Sequence, residues 1–78
     1  MQVHNLGIDV VYRDAKKLVS KLKALKTTRW VQLGGVYHED RNYCQVLVTT
    51  EFTESELDSW LYRTKHGCEY VGVFQRTK

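Results

Sequence analysis

The chain has 78 residues, with 12 lysines and arginines against 9 aspartates and glutamates, two cysteines and no proline. A chain of this length is expected to form one domain, residues 1–78, whose small core leaves little room for a deep enclosed active site. With 42% hydrophobic residues and a net charge of +3 it lies outside the disordered class.

No apolar run approaches the ~18–20 residues of a membrane span, so no membrane partner is expected. The start, Met1-Gln2-Val3-His4-Asn5, lacks the basic opening and apolar stretch of a secretory signal, which makes the cytoplasm the expected compartment. Cys44 and Cys68 do not form a Cys-x-x-Cys pair and are read as reduced, small buried hydrophobes.

In chain order, Leu6, Ile8, Val10 and Tyr12 alternate with Gly7, Asp9 and Val11, the period of two expected of a strand with one buried face. Asp14 is the expected N-cap of a helix that follows. Ala15, Leu18, Leu22 and Leu25 recur at helical spacing, with Lys16, Ser20 and Lys23 opposite them. Lys23 and Lys26 suit the negative end of that helix.

Two β-rich runs, residues 30–38 and 43–50, are joined by Glu39-Asp40-Arg41-Asn42, a connection of hairpin length. Gly34-Gly35 interrupts the first run and predicts a bulge. Thr53-Glu54-Ser55-Glu56 has the spacing of a capping box, after which Leu57, Trp60, Leu61 and Thr64 form the apolar stripe of a second helix. Gly67 is placed to end that helix, and residues 69–75 form a last short strand.

Strand, helix, strand, strand, helix, strand, with right-handed crossovers, predicts an α+β ferredoxin-like βαββαβ sandwich: a four-stranded antiparallel sheet with two helices on one face. Leu6, Ile8, Val10, Val31, Leu33, Cys44, Val46 and Val48 are expected under the helices. The open face then receives Asp9, Val11, Trp30, Gln32, Val36, His38, Tyr43, Gln45, Leu47 and Thr49. In the last strand either Val71 and Val73 or Tyr70 and Phe74 face the helices. If the valines do, Tyr70 and Phe74 join the open face.

No catalytic, metal or cofactor signature emerges, so three classes of function are weighed. The first is a small non-catalytic regulator, inhibitor or adaptor that docks a protein partner, or a second copy of itself, through its open face or an edge strand. Trp30, Gln32, His38, Tyr43, Gln45, Tyr70 and Phe74 would make the contact, because aromatic residues dominate interface energetics.

The second class is binding of RNA or single-stranded DNA. Residues 1–34 carry a balance of +5 and residues 35–78 one of −2. Arg13, Lys16, Lys17, Lys21, Lys23, Arg29 and Arg41 would contact phosphates while the aromatic face stacks bases. Residues 41–48 agree with the third-strand consensus of the RNA-recognition motif at Arg41, Tyr43 and Val46 and depart from it at Asn42 and Gln45, so the chain is not assigned to that family.

The third class is catalysis, whose sharpest form is a metal-dependent nuclease centred on Asp9 in a symmetric dimer. His4, His38 and His66 have no metal-ligand spacing with one another or with the cysteines.

Overall fold

The computed structural model describes residues 2–38, 43–64 and 68–76. Six elements follow in order: β1 (His4–Val11), α1 (Tyr12–Lys23), β2 (Thr28–His38), β3 (Tyr43–Thr50), α2 (Glu54–Thr64) and β4 (Tyr70–Gln75). The strands form one antiparallel sheet in the order β2-β3-β1-β4, with both helices packed on it, which is the ferredoxin-like topology expected. Hairpin residues 39–42, including Arg41, and the expected helix terminator Gly67 lie outside the described residues.

The core follows the alternation of the two central strands. Leu6, Ile8 and Val10 from β1 meet Cys44, Val46 and Val48 from β3, all fully buried, under Ala15, Leu18 and Leu22 of α1 and Leu57 and Leu61 of α2. Burying each leucine side chain contributes about 1.5–3 kcal/mol, so this cluster is the main source of the fold's stability. Helix α1 packs over β2, β3 and β1, while α2 packs on β4.

The capping box forms as its spacing predicts. Thr53 N–H donates to Glu56 Oε1 at 2.9 Å and Glu56 N–H donates to Thr53 Oγ1 at 3.2 Å. Asp14, by contrast, is not an N-cap. The chain passes from β1 into α1 with no intervening loop, Val11 takes the cap position with extended backbone and no side-chain acceptor, and Tyr12, expected in the strand, is the first helical residue. Asp14 therefore falls inside the first turn, where it is buried and accepts the Glu69 N–H at 2.9 Å. A tertiary partner 55 residues away replaces the local one that a capping rule assumes.

Register shifts in β2 and β4 bear on the expected faces. Strand β2 begins at Thr28 rather than Trp30, and its register shifts between Thr28 and Trp30. Between the pairs Leu33↔Val46 and Val36↔Cys44, Gly34 and Gly35 oppose Gln45 alone, so the predicted bulge is present. A side chain on Gly34 would lie 2.8 Å from the Gln45 carbonyl oxygen, which explains a glycine there. The extra residue brings Val36 into register with Cys44 and not with an open-face residue of β3.

A further shift lies in β4, where Asp9 pairs with Gly72 and Val10 with Tyr70, so that Val71 is the unpaired residue. Neither expected pattern for the last strand holds. Tyr70 and Val73 pack against the core, Phe74 pairs with Gly7 on the other face, and Val71 is 63% exposed. Val11, expected on the open face, lies opposite Tyr43 but is buried, 8% exposed.

Candidate functional site

The pairing of the four strands resolves the open face into rows that cross the sheet. The first row is Trp30, Thr49, Asn5 and Arg76, since Trp30 and Asn5 both pair with Thr49 and Arg76 N–H donates to the Asn5 carbonyl at 2.9 Å. The second is Gln32, Leu47, Gly7 and Phe74. The third is Gly34-Gly35, Gln45, Asp9 and Gly72. His38, Tyr43 and Val11 form the fourth.

Side chains tie the first row together from edge to edge. Thr49 Oγ1 donates to Asn5 Oδ1 at 2.8 Å. Arg76 Nε donates to the Leu6 carbonyl at 3.1 Å, and its guanidinium carbon lies 5.6 Å from the centre of the Trp30 ring. Trp30 stands on one edge strand and Arg76 follows the other, so the two side chains lean toward each other across β3 and β1. A guanidinium over an indole is a favourable cation–π arrangement, and it holds the 44% exposed Trp30 in place at the surface.

The second and third rows differ in relief. Leu47 and Phe74 are half-buried and apolar, whereas a side chain on Gly72 would meet nothing within 4 Å. Asp9 sits between Gln45 and Gly72, and its Oδ1 is shielded from solvent with no hydrogen-bond donor. A buried carboxylate oxygen without a donor is a costly feature that a folded domain rarely keeps without a reason.

Of the residues expected to contact a partner, Trp30, Gln32, Tyr43, Gln45 and Phe74 are thus brought onto one face, and His38 is in register with Tyr43 beside them. Tyr70 is not. It pairs with Val10 and its hydroxyl reaches Asp58 of α2, donating to Oδ1 at 3.1 Å, with the Asp58 carbonyl oxygen at 3.3 Å. Burial pushes the Tyr70 phenol above its ordinary pKa, and the bond to Asp58 pushes it further. Arg76, Asn5, Gly7 and Gly72 were not expected on the face. Continuing the alternation past Phe74 to Arg76, and back from Gly7 to Asn5, would have found them.

Most of the basic residues lie elsewhere, although Lys23 and Arg29 line a concavity together with Trp30. Lys16, Lys17, Lys21 and Lys23 belong to α1, which packs on the opposite layer. Arg13 pairs with Glu69 at 3.2 Å, and Arg29 pairs with Glu51. Asp9 has Gln45 and Gly72 as its cross-strand neighbours, neither a carboxylate, and no cluster of three metal-ligating side chains occurs among the described residues.

Other concavities are shallower in meaning. A cavity of about 430 Å³ between α1, α2 and the approach to β4 is lined by Arg13, Asp14, Leu61, Tyr62, Cys68, Glu69 and Tyr70. Both Cys44 and Cys68 are free thiols, each pushed above its ordinary pKa by burial, which leaves them mostly protonated and poor nucleophiles near neutrality. No helix among the described residues is long and apolar enough to cross a membrane. No protein-family model matches the chain, and comparisons with curated proteins and with solved structures found no significant match.

Proposed function

We propose that this chain is a small non-catalytic binding protein, of the regulator, inhibitor or adaptor type, that docks a protein partner through the open face of its sheet. The observation that supports this reading is the composition of the first two rows. Trp30 under Arg76, Gln32, Leu47 and Phe74 form a contiguous apolar surface with polar handles, and the helices on the other layer leave it uncovered. An exposed aromatic held by an arginine, ringed by residues that can exclude water, is the composition of an interface centre.

Binding of RNA or single-stranded DNA needs phosphate contacts beside the stacking surface. Here Lys16, Lys17 and Lys21 belong to the layer opposite the sheet aromatics, and Arg13 and Arg29 already hold carboxylates, which leaves Lys23 and Arg76 near Trp30, fewer contacts than a nucleic-acid strand needs. The protein-binding reading is therefore favoured over the nucleic-acid one.

A photo-crosslinking amino acid in place of Gln32 on the open face, compared with the same group in place of Lys16 on α1, tests the proposal in the cell that makes the protein. Protein adducts are expected from position 32 and not from position 16, and they should diminish with Trp30→Ala. Adducts to nucleic acid, or to protein from position 16 alone, would overturn it.

A further inference from the structure

Two opposite charges on the open face have no ionic partner among the described residues. Among the described residues no carboxylate lies within ion-pair distance of Arg76 and no cation within that distance of Asp9, whose Oδ1 is closed off without a donor while the residue as a whole stays partly exposed on the face. They cannot satisfy each other within one chain. Asp9 is in the third row and Arg76 in the first, about 13 Å apart along the strands at ~3.3 Å per residue.

A rotation of 180° about an axis lying in the face along the second row exchanges the first row with the third and keeps each residue in its own strand column. Each consequence of that operation is favourable. The guanidinium of Arg76, held over the centre of the first row by Leu6 and Trp30, comes opposite Asp9 and Gln45 of the other copy. Trp30, the largest projection, comes opposite Gly34-Gly35, and the Arg76 stem comes over Gly72, where space is open. On the axis itself, Leu47 meets Leu47 and Phe74 meets Phe74, forming an apolar centre.

We propose that a second copy of this chain covers the open face about this two-fold axis, with Asp9 of each copy receiving Arg76 of the other. The inference rests on the reading above, in which the open face is the docking surface, and it names the partner. An isologous contact requires a self-complementary patch, and two projections matched by two glycine gaps in the same columns provide one. Packed sheets stand ~10 Å apart, a gap that Leu47 and Phe74 from both copies can fill.

The test is sedimentation equilibrium of the wild type and of charge variants across a dilution series. The wild type should show twice the 9.2 kDa chain mass. Asp9→Lys and Arg76→Glu should each weaken association by about 100-fold or more, since each sets like charges together twice across the axis. Combined in one chain, the two substitutions should restore the dimer, and the two single variants mixed should form a heterodimer. Restoration also shows that the single variants failed through charge and not through misfolding. Leu47→Lys, which places two lysines on the axis, should dissociate the dimer independently.

A wild type that stays monomeric at every concentration overturns the inference. So does a dimer indifferent to these substitutions, or a double variant as weak as the singles. A monomer whose position-32 crosslinker captures a different protein overturns the two-fold dimer and leaves the docking reading standing. A monomer with no adduct from that face sinks both.

Discussion

The ring of Phe74 occupies the place that a side chain on Gly7 would need: a Cβ built on Gly7 falls 2.7 and 2.8 Å from two of its ring carbons. A glycine in a central strand leaves the backbone uncovered, and an aromatic from the neighbouring strand can shield it. Here it also sets the level of the second row, because the ring lies in the gap where β1 offers no side chain.

Gly7→Ala should therefore displace Phe74 and cost about 1–3 kcal/mol of stability, the range of overpacked sites. Phe74→Ala should destabilise by uncovering β1. In urea unfolding, the double substitution should cost less than the two single costs added, since the second change removes the clash made by the first. Strictly additive costs would mean that the two residues do not contend for one space.

Asp14 links the first turn of α1 to the chain entering β4 by accepting the Glu69 N–H. Asp14→Ala leaves that amide without its partner and should cost about 1–3 kcal/mol, whereas Asp14→Asn keeps an acceptor oxygen and should cost less. Equal losses for Ala and Asn in the same unfolding assay would show that the hydrogen bond is not what Asp14 contributes.

Alkaline stability should depend on Tyr70. Its phenol is held above the ordinary value of 10.0 by burial first and then by its hydrogen bond to Asp58, so the folded state favours the protonated form. The unfolded chain releases this proton first. The contribution is thus complete below the unfolded pKa and is lost as pH rises through the folded one. Urea midpoints followed into the alkaline range should fall less steeply in Tyr70→Phe than in the wild type, and identical slopes would exclude Tyr70 as the source.

The same residues show what was legible before the structure. Apolar residues stand at every second position from Leu6 to Val10 and from Cys44 to Val48, so this part of the core could be read directly. The Thr53–Glu56 box is a contact within four residues and formed as its spacing predicted. Trp30, Gln32, Tyr43 and Gln45 reached the open face because alternation held through each of them.

Asp14 and Tyr70 could not be placed in this way. Asp14 has the composition of a cap, but its acceptor role is taken by an amide from the far end of the chain. Tyr70 lies before a one-residue shift in β4, and a single unpaired residue reverses the facing of everything on one side of it. No local pattern shows whether Val71 is paired, because the pairing depends on where β1 lies.

The sequence by itself determined the order of elements, their handed connection into a four-stranded sheet and the residues that must be buried. These follow from short-range periodicity and from helix and turn chemistry that act within a few residues. The tertiary structure alone decided where β2 and β4 change register, which brought Tyr70 to the helices and Phe74 over Gly7. It also set Arg76 over Trp30 from the opposite edge and left Asp9 without a donor. Those relationships join residues far apart in the chain, and they exist only once four strands share one set of hydrogen bonds.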